Sequence, residues 1–118
     1  MEKEEQLILI PKIEKYIEYV LNIILKLPRT EKFNIGNEYK LSIYRMLTNA
    51  IYINKVGNKI EYLNKIDAEL VLERIYLRIM FKNKWIDEKK FKVSMELIYE
   101  IGKIVGGLIK HYAKNNKK

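Results

Sequence analysis

Residues 95–112 read MELIYEIGKIVGGLIKHY, and their spacing decides the fold. At helical spacing Ser94/Met95, Ile98, Ile101/Gly102, Val105 and Leu108/Ile109 fall on one stripe, with Tyr112 one turn further on. Gly102, Gly106 and Gly107 interrupt it, and each weakens a helix by about 0.5–1 kcal/mol relative to alanine. Gly102 and Gly106 are four apart and so share a face, one turn above the other. Such a smooth face admits a close backbone, either from a neighbouring helix of the same chain or from a second subunit. The spacing leaves both readings open.

Three further helices are legible outward from this one. Asp87 is a natural N-cap, so the last helix covers about 88–113. Ile60, Leu63, Ile66, Leu70, Leu77 and Phe81 mark the buried side of a helix over about 59–83. Its acids come early and its bases late, the order that complements the helix dipole. Ile35, Tyr39, Ile43, Met46 or Leu47, Ala50/Ile51 and Ile53 give a helix over about 35–55. Asn34 or Asn37 would cap its start, and Gly57 would be its C′ residue. Ile13, Tyr16/Ile17, Val20/Leu21, Ile24 and Leu27 give a first helix over about 11–27. Pro11 suits its first position and Pro28 stops it, with Leu7–Ile10 a short arm or loose turn. No segment has strand periodicity. Four helices with short connections imply an all-α, antiparallel up-down-up-down four-helix bundle, one domain of 118 residues.

The formal net charge is +8, from 23 Lys+Arg against 15 Asp+Glu. That bias favours polyanions, with nucleic acid first, anionic membrane second and acidic protein third. Abundant Ile, Lys, Asn and Tyr is also the mark of an AT-rich genome. The antiparallel reading gathers Lys26, Arg29, Lys32, Arg78, Lys82, Lys84, Lys89, Lys90 and Lys92 at one end, against Glu31, Asp87 and Glu88. Nine cations against three acids leave a local balance of +6, which would hold phosphates without reading bases or else form a solvated rim.

Catalytic and cofactor chemistry is not expected. There is no cysteine, and the one histidine, His111, sits near a helix C-terminus, the place of a dipole partner or surface residue rather than a general base. Neither Glu96 nor Glu100 has the histidine three residues on that a di-iron bundle requires. No phosphate loop, nucleophile elbow or dinucleotide fingerprint occurs, and no metal or cofactor is implied. The acidic start MEKEEQ is unlike a signal peptide, and no apolar run approaches a membrane span, so a cytoplasmic protein is expected. Among the nine tyrosines, Tyr16, Tyr39, Tyr62 and Tyr112 lie on or beside apolar stripes. Tyr19, Tyr44, Tyr52, Tyr76 and Tyr99 are left for exposed or intersubunit positions.

Three segments carry a resemblance. Pro28-Arg29-x-x-Lys32-Phe33-x-x-Gly36 resembles the FPRxxRFxLG connection of the Avd-like four-helix bundle proteins, accessory variability factors of diversity-generating retroelements. EIGKIVGG, residues 100–107, is similar to their EIGRMLGGW signature, and ERIYLRIMFKNKWI, residues 73–86, to their third-helix pattern. Lysine replaces the usual arginine at 32 and 103, Leu27 replaces phenylalanine, and Leu108 replaces tryptophan. A related branch, encoded in intervening sequences of 23S ribosomal RNA genes, carries an IPSNIAEG segment that TNAIYINKVG, residues 48–57, does not reproduce. The resemblance implies a homo-oligomer, a pentameric ring, that binds RNA or DNA and a partner reverse transcriptase. Its carried-over basic contacts are Arg29, Lys32, Arg74, Arg78 and Lys103, to which the charged end adds Lys82. Arg29 has a structural alternative, pairing with Glu100 or capping carbonyls. Pro28, Phe33 and Gly36 read as architectural, and Gly102, Gly106 and Gly107 as a packing or oligomer contact. The rival function is a protein-interaction scaffold of the intervening-sequence type.

Overall fold

The computed structural model describes residues 2–55 and 57–116, with side chains described over 8–55 and 57–114. Four long helices and one extra turn make up the described chain: α1 (Glu2–Leu25), α2 (Arg29–Lys32), α3 (Ile35–Ile53), α4 (Lys59–Lys82) and α5 (Glu88–Asn116). They form a rod of 51 × 23 × 20 Å. Each long helix packs chiefly on two others, in the cycle α1–α3–α4–α5–α1. Contacts between α3 and α4 run in opposite order: Tyr39 meets Tyr76, Ser42 meets Glu69 and Glu73, and Tyr52 meets Tyr62. Between α4 and α5, Phe81 stacks on Phe91 while Gly102 lies against Leu70 and Arg74.

One core runs through the rod. It is built from Leu9, Ile13, Tyr16 and Val20 of α1, Tyr39, Ile43 and Met46 of α3, Leu63, Ile66, Leu70 and Leu77 of α4, and Ile98, Ile101, Val105 and Leu108 of α5. The stripe read in residues 94–109 is therefore the buried face of α5.

The first helix begins nine residues earlier than Pro11, so that proline sits inside it. An interior proline removes one helical hydrogen bond and costs about 3 kcal/mol. Leu9 offsets that cost. It lies four residues before Ile13, on the same stripe, and is 2% exposed. Burying a leucine returns about 1.5–3 kcal/mol. Reading Pro11 as a start signal missed this continuation.

The helix ends differ from expectation in instructive ways. Asn34 occupies the N-cap of α3 but makes no side-chain cap bond. α3 stops at Ile53 with Asn54 as its C-cap, so the C′ position falls on Lys55 and not on Gly57. Asp87 caps α5 as expected, its Oδ1 accepting from the Lys90 N–H at 2.7 Å. Asn58 caps α4 in the same way, accepting from the Glu61 N–H at 3.2 Å. α4 closes in a Schellman motif: the Trp85 N–H donates to the Met80 carbonyl at 2.9 Å and the Lys84 N–H to Phe81 at 3.0 Å. Its C′ residue is Lys84, at φ 62°, where glycine is usual. A side chain in this conformation costs about 1–2 kcal/mol.

Candidate nucleic-acid interface

The end of the rod where α1 stops and α5 starts is built by local chain physics. Pro28 begins the turn α2, and its carbonyl accepts from the N–H groups of Glu31 (2.8 Å) and Lys32 (3.0 Å). The Glu31 carbonyl then accepts from the Asn34 N–H at 3.2 Å. Gly36 makes this turn lie tight on the core. A Cβ there would stand 3.1 Å from both the Glu31 carbonyl oxygen and Leu27 Cδ1. The architectural reading of Gly36 therefore holds. The same reading of Phe33 does not, because that side chain is 76% exposed.

Across from this turn, Tyr19 and Asn22 share a groove with Val93 and Leu97, while Lys12 further up α1 pairs with Glu100 at 3.0 Å, so the last turns of α1 face the start of α5. The Tyr39–Tyr76 edge contact, 6.3 Å between ring centroids, sets the first turns of α3 against the last turns of α4. Arg29, Lys32, Arg78 and Lys82 therefore belong to one end of the rod, with Lys26, Lys84, Lys89, Lys90 and Lys92. Among the described residues only Lys92 of this group is in an ion pair, with Glu88 at 3.3 Å.

Helix electrostatics separates these cations. Lys82 lies in the last turn of α4, where the dipole welcomes positive charge, and Arg78 lies one turn before it. Lys89 and Lys90 lie in the first turn of α5, where it opposes them by about 0.3–1 kcal/mol each. Lys84 adds its backbone strain. Helix stability accounts for Lys82 and disfavours Lys84, Lys89 and Lys90.

The remaining candidates lie elsewhere. Arg74 is half-buried at mid-bundle, with Nη2 3.4 Å from where a Gly102 Cβ would stand. Lys103 is exposed on α5, its Nζ 5.8 Å from the Tyr99 ring centroid. Glu100 pairs with Lys12 at 3.0 Å, and Arg29 does not reach it. The glycines also part company. Gly102 packs against α4, whereas a Cβ at Gly106 would meet nothing within 4 Å. Gly107 is half-buried. The bundle thus uses Gly102 and leaves Gly106 on an open face.

Two features were missed in the sequence. The first is a buried polar layer. Glu73 is wholly buried on α4, and burial pushes its carboxyl up to about 8. The Tyr16 and Tyr39 hydroxyls meet at 2.8 Å beside it. Ser42 Oγ lies 2.8 Å from both Glu69 Oε1 and Glu73 Oε2. One hydroxyl proton serves one carboxylate, so the other carboxyl must carry a proton itself. Glu69 is held by Arg45 (2.8 Å), so the protonated partner is Glu73. The spacing Leu63, Ile66, Leu70, then Leu77 pointed to position 73 as a core position.

The second feature is the outward face of α4. Ala68, Val71, Ile75 and Ile79 recur at three and four along it, all exposed. Leu41, Tyr44 and Ile51 of α3 are also exposed, and Leu41 and Tyr44 share a groove with Ala68. α4 is therefore apolar on two sides. Phe81, expected in the core, is instead stacked on Phe91 at 4.5 Å, and Met80 takes the buried position.

Among the described residues no cluster of His, Asp or Glu is arranged to hold a metal ion, and no helix is long and apolar enough to cross a membrane. A family model described as bAvd-like matches residues 7–112, a span that takes in every candidate basic and glycine position above. Comparison with curated proteins finds no match.

Proposed function

The chain belongs to the bAvd-like family, and from that premise we propose that it is a non-enzymatic, nucleic-acid-binding accessory protein of a diversity-generating retroelement. It binds RNA or DNA through the basic end of an up-down-up-down bundle and works with a partner reverse transcriptase in the cytoplasm. The observation that carries this reading is the set of cations that helix stability disfavours: Lys89 and Lys90 against the α5 dipole, and Lys84 in a left-handed conformation. Phosphate oxygens, held by point charges on a rigid end, are the ligands such a set suits.

The protein acts as a homo-oligomer, a pentamer by family resemblance. Support comes from the outward face of α4, where a second copy covers Ala68, Val71, Ile75 and Ile79. Gly106, open in the single chain, is available to the same assembly.

Gel-shift binding to a structured RNA at low salt tests the proposal. Wild-type protein binds, and the double reversal Arg78→Glu/Lys82→Glu weakens binding at unchanged helicity. Equal binding by both proteins, or none by the wild type, contradicts it.

A further inference from the structure

Phe33 is the most exposed large hydrophobic side chain described, at 76%, and Leu25 beside the same connection follows at 65%. The turn that carries Phe33 is fixed by its two bonds to the Pro28 carbonyl and by the tight seat of Gly36. A bare aromatic ring on a rigid turn is costly to leave in water and cheap to use, because little freedom is lost when something covers it. Its surroundings say what covers it. Arg29 and Lys32 are three apart on the single turn α2 and so share a face, directly before the ring. The rest of that end is positive on balance, with Lys26, Lys84, Lys89 and Lys90 outweighing Glu31, Asp87 and Glu88.

We propose that Phe33 is a stacking platform for an unpaired base of a single-stranded nucleic acid, with Arg29 and Lys32 taking the flanking phosphates. This rests on the reading of the basic end as a nucleic-acid interface and names the kind of nucleic acid it takes. A paired duplex presents base edges and backbone but keeps its π faces stacked inside, so it offers the ring nothing. An unpaired strand offers a π face at every base, whatever its sequence. The juxtaposition therefore selects loops, bulges and ends over continuous duplex.

Fluorescence anisotropy with a labelled oligouridine strand and an RNA duplex of equal length, at low salt, tests this. The proteins are wild type, Phe33→Ala, Phe33→Trp and Arg78→Glu/Lys82→Glu. Phe33→Ala weakens the strand about tenfold, leaves duplex affinity and the salt dependence unchanged, and keeps wild-type helicity. Phe33→Trp binds the strand at least as tightly as wild type. Undiminished strand binding by Phe33→Ala overturns the platform, as does an equal loss on strand and duplex. A change in oligomeric mass without a change in strand affinity also overturns it and gives the ring to a subunit contact. If Arg78→Glu/Lys82→Glu weakens both probes while Phe33→Ala weakens neither, the interface stands and the platform falls. If wild type binds neither probe, both fall.

Discussion

Replacing Glu73 by glutamine separates the buried polar layer's charge from its shape. In the folded protein burial raises this carboxyl from 4.5 to about 8, while in the unfolded chain it returns to its ordinary value. The folded state therefore binds more protons, so stability falls as pH rises. The contribution is fully present below about pH 4.5, declines through the interval, and is gone above about pH 8. At about 1.36 kcal/mol per pH unit, wild-type protein loses about 4 kcal/mol between pH 5 and pH 9 from this group. The groups facing it do not blur the window. Tyr16 and Tyr39 are both raised well above their ordinary range by burial, and the Arg45 guanidinium is raised by its bond to Glu69. Glutamine keeps the size and supplies an amide N–H for Ser42, but it cannot ionise. Guanidinium melts of both proteins at pH 5, 7 and 9 give the difference. Glu73→Gln gains about 4 kcal/mol on wild type across that range, from a small offset at pH 5. Parallel stability curves for the two proteins would refute the reasoning, because they would mean that Glu73 is charged, or solvated, in the folded state.

Three more outcomes follow from the same structure. Gly36→Ala destabilises by about 1–3 kcal/mol because its Cβ meets a carbonyl oxygen and Leu27 at 3.1 Å, whereas Gly106→Ala, facing open space, stabilises the chain by up to about 1 kcal/mol in thermal melts. Lys84→Gly relieves the left-handed strain and gains about 1 kcal/mol in denaturant melts, yet weakens RNA binding, so stability and function move in opposite directions. Ile75→Glu/Ile79→Glu lowers the mass seen by light scattering while leaving helicity intact, because both side chains lie on the outward face of α4.

Much of the fold was legible because apolar spacing is a direct record of burial. The stripe of α5 from Ser94 to Leu108 and the cap at Asp87 lie where periodicity and side-chain chemistry put them, and α3 starts after Asn34 although that side chain makes no cap bond. The misses have physical causes. Pro11 signals a helix start locally, but the buried Leu9 overrides it. As one of the acids of the 59–83 helix Glu73 fits the dipole order, but its register puts it in the core, where burial favours the protonated carboxyl. Phe33 looked architectural because aromatic residues usually pack, and only the solvent exposure of the turn reveals otherwise. The basic end needed the third dimension. Charge sums over sequence collect the nine cations, but the helix ends decide which of them stability explains and which it does not. Arg74 and Lys103 match the family motifs in sequence yet lie away from that end, beside Gly102 and Tyr99.

The salt dependence of RNA binding tests the central claim most directly. Each phosphate neutralised on a single strand contributes about −0.7 to the slope of log affinity against log salt, so four contacts at the basic end give a slope of about −3. The account predicts that slope for wild type and a slope shallower by about 1.4 for Arg78→Glu/Lys82→Glu. A slope near zero for wild type, or one that the double reversal leaves unchanged, would contradict it.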